Sequence, residues 1–166
     1  MSDLLVNADG VCRLGEHSYR CALGSGGIVA DKREGDGGTP VGTWPLRRLL
    51  YRPDRGDAPA CALPVEAIRP EDGWCDDPQH ADYNRLVARP FAASHEAMWR
   101  DDNLYDLVVV VGHNDDPPAA GAGSAIFLHL ARADWGPTAG CVAFTREDFL
   151  EILGTITAKS QLIVEG

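Results

Sequence analysis

The stretch "SAIFLHLARADWGPTAGCVAF", Ser124 to Phe144, decides how the chain is read. Two short runs of β-forming residues, "SAIFLHLA" and "AGCVAF", flank the turn-rich "RADWGPT". As an antiparallel hairpin whose paired positions sum to 270, it sets Ile126 against Phe144, Leu128 against Val142 and Leu130 against Gly140. That side is uniformly apolar and belongs to a core. The other side pairs Phe127 with Ala143 and His129 with Cys141, and opposed Cβ atoms in such a ladder lie about 4.5 to 5.5 Å apart. A one-residue slip would destroy both patterns. Two readings fit an imidazole beside a thiol. Either Cys141 is an inert buried cysteine and His129 is satisfied by a nearby carbonyl, or Cys141 is a nucleophile and His129 its base. In the second reading Gly140 lets a substrate carbonyl approach, and backbone N–H groups around Gly140 and Cys141 stabilise an oxyanion. Zinc is the weaker option, because two ligands converge here and a structural site needs four.

Working outward, 166 residues with 45% hydrophobic and 24% charged composition describe one folded domain spanning residues 1–166. A formal charge of -10 argues against a nucleic-acid binder, which needs a basic face. No apolar run approaches the roughly 20 residues of a spanning helix. The start "MSDLLVNADGVCR" lacks the basic and apolar pattern of a secretory signal, so an exported form must have lost one or use another route. The five cysteines contain no Cys-x-x-Cys pair, so neither a zinc ribbon nor a redox dithiol is indicated. Cys12 and Cys21 read as small buried hydrophobes that adjacent strands could also bring within bonding reach.

The first third, "LLVNADGVCRLG", "HSYRCALGSGG" and "GIVADKREGDGG", implies a meander of hairpins punctuated by Asp9-Gly10, Gly15 and the glycine runs. In "TPVGTWPLRRLLYRPDR", Trp44, Leu46, Leu49 and Tyr51 face a core, and Pro45 marks an edge strand. Asp54 to Pro90 shows no sustained period and reads as a long surface excursion. "ASHEAMWRDDNL" fits a short helix capped by Ser94, and "LYDLVVVVG" a buried strand. "TREDFLEILGTI" offers Thr145 as N-cap, Asp148 at the third helical position and an apolar face of Phe149, Ile152, Leu153 and Ile156; "QLIVEG" closes as a strand.

"HLARADWGPTAGCVAF" resembles the catalytic signature of the L,D-transpeptidase (YkuD) family, a histidine followed by Ser/Thr-x-Gly-Cys, matched by Thr138, Ala139, Gly140 and Cys141. "DKREGDGGTPVGTWPL" is similar to a second family stretch through Lys32, Gly35, Thr39, Pro40, Gly42 and Trp44. The resemblance implies a mainly β fold, a curved β-sheet sandwich with one or two short helices, and no metal or organic cofactor. It implies an enzyme of peptidoglycan biosynthesis and cell-wall biogenesis in the periplasm or cell envelope. A cysteine acyl-enzyme would form on Cys141 with His129 as base, oriented by the Leu130 carbonyl. Stem peptides would be cross-linked between two diaminopimelates or between L-alanine and diaminopimelate, and carbapenem-type β-lactams would inhibit. Two positions depart from the common "S-H-G-C-I/V-R/N" form: Ala139 replaces the second histidine and Ala143 the Arg or Asn. The short His-to-Cys separation suggests a reduced lid, as in a compact single-domain proteobacterial branch.

Substrate-contact candidates are Thr138 in the motif, His113 and Asn114 at the end of the apolar strand, and Tyr83 and Asn84 in the long excursion. Lys32 reads as structural, and the turns "CDDPQH" and "HNDDPP" as solvated loops more than a cation site. One rival keeps the site but uses water as acceptor, an L,D-carboxypeptidase or endopeptidase, for which the absence of an export signal and a cytoplasmic location would fit. Another is a non-catalytic domain that binds cell-wall peptide through the same groove.

Overall fold

A computed structural model describes residues 2–166. The turn residues make the first hairpins as expected. β1 (Leu4–Val6) and β2 (Val11–Leu14) pair antiparallel around the Asn7 to Gly10 turn, and β2 pairs with β3 (His17–Arg20) across Gly15. Their alternation buries Leu4, Val6, Cys12, Leu14 and Tyr19. The third expected hairpin is absent: β4 (Ile28–Val29) and β5 (Thr39–Pro40) run parallel. The loop between them is folded back by Asp36, whose carboxylate accepts from Lys32 Nζ and from the amides of Arg33 and Gly38.

β6 (Gly42–Tyr51) is the longest strand and buries Leu46 and Leu49, with Trp44 and Tyr51 packed against the same core. Pro45 does not mark an edge. β6 lies inside the sheet, and its ladder is irregular between Leu46 and Arg48, beside the proline that has no N–H to give. The span from Asp54 to Pro90 is also more structured than its composition indicates. β7 (Val65–Ala67) adds parallel to β6, while β8 (Asp72–Cys75), β9 (Leu86–Ala88) and β10 (His95–Ala97) form a separate three-stranded sheet. Leu63, Ile68, Trp74, Cys75, Tyr83 and Asn84 are buried within that span. β10 occupies the segment read as a helix, pairing Glu96 with Trp74. Ser94 caps nothing: its hydroxyl donates to Asp76 at 2.6 Å, and a weak helical preference yields to the sheet.

β11 (Leu107–Val111) is buried throughout. β12 (Phe127–Leu130) pairs with it, and β13 (Val142–Phe144) pairs with β12. The β12 and β13 pair is parallel, which overturns the hairpin reading. Leu128 still meets Val142, but His129 pairs with Ala143, not Cys141, and Leu130 with Phe144, not Gly140. Residues 131–141 therefore form a crossover, the connection that parallel neighbours require. α1 (Arg146–Thr155) starts as read, with Thr145 Oγ accepting from the Asp148 amide, and buries Phe149, Ile152 and Leu153. β14 (Gln161–Val164) completes the main sheet, β13-β12-β11-β6-β14-β1-β2-β3.

Alternation along β11 and β12 divides the interior. Leu107, Val109, Val111, Leu128 and Leu130 join the larger core with α1. Val108, Val110 and Phe127 join Trp74, Met98, Tyr105 and Cys141 on the opposite face. The result is a mainly β fold with one short helix and a curved, nearly closed sheet.

Candidate active site

The opposite face carries the site. In the parallel register the diagonal neighbour of His129 on its own face is Cys141, two residues before Ala143. Both line one cavity of about 410 Å³. The thiol is fixed by backbone: Cys141 Sγ donates to the Ala125 carbonyl at 3.2 Å and accepts from the Phe127 amide at 3.3 Å. His129 Nδ1 lies 2.8 Å from the Leu130 carbonyl, a geometry that places the ring proton on Nδ1 and leaves Nε2 as the basic nitrogen. Tyr105 packs edge-on against this ring with centroids 5.3 Å apart. No hydrogen bond joins Cys141 and His129. Burial pushes the thiol up to about 12, with Glu96 adding to the rise, and holds the imidazole down at about 4. At neutral pH the pair rests as thiol and neutral imidazole.

The turn before β13 is built by Thr138. Its hydroxyl donates to the Cys141 carbonyl at 2.7 Å and accepts from the Gly140 amide at 3.0 Å, while its backbone bonds Leu23 and Ser25. Thr138 lines the cavity; Gly140 does not. Gly140 has a backbone reason to be glycine: φ is +136°, and a Cβ would lie 2.7 Å from the Gly38 carbonyl. Its amide is committed to Thr138, so the expected oxyanion donor beside the thiol narrows to the Cys141 amide.

Of the other candidates, Tyr83, Asn84, His113 and Asn114 lie outside the cavity lining. Asn84 is a hub beneath it: Oδ1 accepts from Trp74 Nε1 at 2.9 Å and from the Ala125 amide at 3.0 Å, and Nδ2 donates to the carbonyls of His113 and Asn114. It thus sets the position of Ala125, the residue whose carbonyl takes the Cys141 thiol. Tyr83 accepts from the Gly123 amide and donates to Glu34, which also accepts from Ser124. Asn114 ties its loop to Ala119 and Gly123. His113 is buried against Trp44 at 4.8 Å, its Nδ1 lacks a partner, and burial with nearby Lys32 lowers it to about 4.

Sequence reasoning missed Glu34, Glu96, Arg100, Tyr105 and Arg132, all of which line the cavity, and treated Lys32, which also lines it, as structural. Lys32 pairs with Asp36 at 2.5 Å. Glu96 and Arg100 sit in the stretch misread as a helix, which hid that Glu96 and Tyr105 meet; the Tyr105 hydroxyl donates to the Glu96 carboxylate. Trp135, at the outer part of the crossover, lies under the Arg20 guanidinium at 4.2 Å. Among the described residues no group of three or more His, Cys, Asp or Glu side chains is arranged to hold a metal ion. The acidic turns serve as loop anchors, Asp77 accepting from the Gln79 amide and Asp115 pairing with Arg47.

The family model described as the YkuD L,D-transpeptidase catalytic domain matches residues 6–164. The chain belongs to this family. No curated protein and no solved structure matches it. The match spans every element from the end of β1 to β14, so the L,D-transpeptidase domain includes all three sheets and the cavity lined by His129 and Cys141. Membership carries the expectation of a peptidoglycan substrate and association with the cell envelope. No helix among the described residues is long and apolar enough to cross a membrane.

Proposed function

We propose that this L,D-transpeptidase domain is a cysteine acyltransferase that cross-links peptidoglycan stem peptides in the cell envelope. The observation that carries the reading is a thiol and a basic imidazole nitrogen lining one cavity, each fixed by main-chain contacts. Cys141 leaves the Ala125 carbonyl and turns toward His129. Nε2 takes the thiol proton as Sγ attacks the carbonyl carbon of an L-to-D peptide bond in the donor stem. The oxyanion of the tetrahedral intermediate is met by the Cys141 amide. His129 then gives its proton to the departing amine, leaving a thioester. An amine of a second stem attacks that thioester and loses a proton to His129, which returns it to the Cys141 sulfur. The pair ends as it began. Moving the proton together with the attack suits a thiol held up near 12, for which a free resting thiolate would be scarce.

Thr138, which shapes the turn and faces the cavity, contacts the stem. The acceptor stem supplies either a diaminopimelate amine for a link to diaminopimelate or the same amine for a link to L-alanine. Incubation with purified muropeptides tests the reading: cross-linked dimers or D-amino-acid-exchanged products support transfer. Shortened monomers alone would replace it with an L,D-carboxypeptidase, and no turnover with no acylation of Cys141 by a carbapenem would leave a binding module.

A further inference from the structure

One of the four phenylalanines is used differently from the rest. Phe127, Phe144 and Phe149 are fully buried, whereas Phe91 belongs to neither apolar cluster and is only half-buried. Its ring lies edge-on between two imidazoles, with centroids 4.8 Å from His80 and 5.6 Å from His95. It lines an open hollow of about 520 Å³ together with Pro70, Glu71, Arg89, Pro90 and His95. The polar rim is ordered. Arg89 Nε donates to His95 Nε2 at 3.2 Å, His95 Nδ1 donates to the Ala93 carbonyl at 2.9 Å, and His80 Nδ1 accepts from the Asp82 amide at 2.9 Å. Gly73 lets that rim close up, since a Cβ there would lie 3.1 Å from the His95 ring and 3.3 Å from the Arg89 side chain. An aromatic ring that fills no core, framed by fixed hydrogen-bonding groups, marks a surface that receives a ligand.

Charge and position say which ligand. Arg89 and Glu71 cancel, so the hollow suits an uncharged body with both apolar and hydroxyl-bearing surfaces. A pyranose is such a body: its C–H face covers an aromatic ring, and its hydroxyl and acetamido groups meet guanidinium, carboxylate and imidazole. β10 is an edge strand of the three-stranded sheet, and consecutive residues of a strand point to opposite faces. His95 lines the hollow, and Glu96 lines the cavity that holds Cys141 and His129. A peptide passing over this one edge joins the two sites, and three extended residues span about 10 Å.

We propose that the Phe91 hollow binds the glycan strand that bears the donor stem, an N-acetylated amino sugar stacking on the Phe91 ring while its stem crosses β10 toward Cys141. This rests on the acyltransferase reading and adds to it a second point of substrate contact, remote from the reacting atoms.

The full chain is compared on two donors, a free tetrapeptide and the same tetrapeptide carried on its disaccharide. The parent is expected to show a KM about fivefold or more lower for the disaccharide-linked donor, the worth of one aromatic contact. Phe91→Ala is expected to erase that ratio and Phe91→Trp to keep it. Arg89→Gln, at the rim, is expected to reduce the ratio in part and carries the test if the alanine variant does not fold. The stem-free disaccharide, titrated into isotope-labelled protein, should shift the His80 and His95 ring signals in the parent and not in the Phe91→Ala variant. Equal KM values for the two donors in the parent would overturn the proposal, as would a Phe91→Ala variant that keeps the ratio or that loses the same factor on both donors. A parent that turns over neither donor and is not acylated at Cys141 by a carbapenem would instead overturn the acyltransferase reading, while the disaccharide titration would still decide whether the hollow takes sugar.

Discussion

The N-terminal hairpins bury Cys12 and Cys21 and the turn before β13 buries Cys141, and in both places burial raises the thiol pKa. Cys12 and Cys21 sit in the large core among Leu4, Leu14 and α1, and all five cysteines of the chain are free thiols. Cys141 belongs to the smaller cluster, but its sulfur has two backbone partners and borders a cavity that also holds a basic nitrogen. A raised pKa therefore does not separate a structural thiol from a reactive one. Under the proposed function, what separates them is a place for substrate and a partner able to take the proton.

The sharpest way to break this contrast is Cys141→Ser. Formation of cross-linked or exchanged muropeptides should fall on the order of a thousandfold or more, because serine is a far weaker nucleophile beside an unassisted imidazole. A variant with near-parental product yields in chromatography would sink the distinction. Next in size is the pH dependence of stability, where the buried histidines and the buried thiols act on opposite limbs. Above about 6.5, His113 and His129 are neutral whether folded or unfolded. As pH falls from there toward about 4, the unfolded chain gains protons that the folded one refuses, so stability drops by up to about 1.4 kcal/mol per pH unit for each histidine, then levels. The buried thiols act in the other direction: below about 9 they are protonated in both states, and above it the unfolded chain ionises first and stability falls as pH rises. Urea titrations across pH should show both limbs, and replacing Cys12 and Cys21 should flatten only the alkaline one.

A smaller effect is expected from Asn84→Ala. It strands the Trp74 indole N–H and the Ala125 amide in a buried setting, costing about 2 to 3 kcal/mol, and it slows Cys141 acylation by loosening the Ala125 carbonyl. A variant as stable as the parent but slow to acylate would assign Asn84 wholly to the site. Smallest of all, Cys12→Ala should cost about 1 kcal/mol in denaturant unfolding and leave turnover unchanged.

The difference between the two regions also explains what was legible in the sequence. The N-terminal hairpins and α1 could be read because turn glycines and the Thr145 cap act locally. The His129 and Cys141 face was read correctly by residue and wrongly by direction. Leu128 opposite Val142 satisfies an antiparallel and a parallel ladder alike, and alternation has no arrow. The family motif supplied Thr138, Gly140 and Cys141 without needing the register. Glu96, Arg100 and Tyr105 stayed hidden because β10 is made of residues with weak local preference and is held by Trp74 and Cys75, about 20 residues earlier in the chain. Tyr83 and Asn84 stand out by residue type, but their reach to Glu34 and Ala125 depends on a loop without periodicity.

The crossover between β12 and β13 gives the domain a division of labour. His129 and Cys141 keep their spacing through a ladder and a threonine turn, whereas Arg132, Gly136 and Pro137, which border the cavity, belong to the connecting loop. Length and composition of that loop can therefore drift with little penalty to the reacting pair. Under the proposed function, selectivity for one stem over another becomes an adjustable trait of that loop, while the His129 and Cys141 pair stays anchored in the sheet.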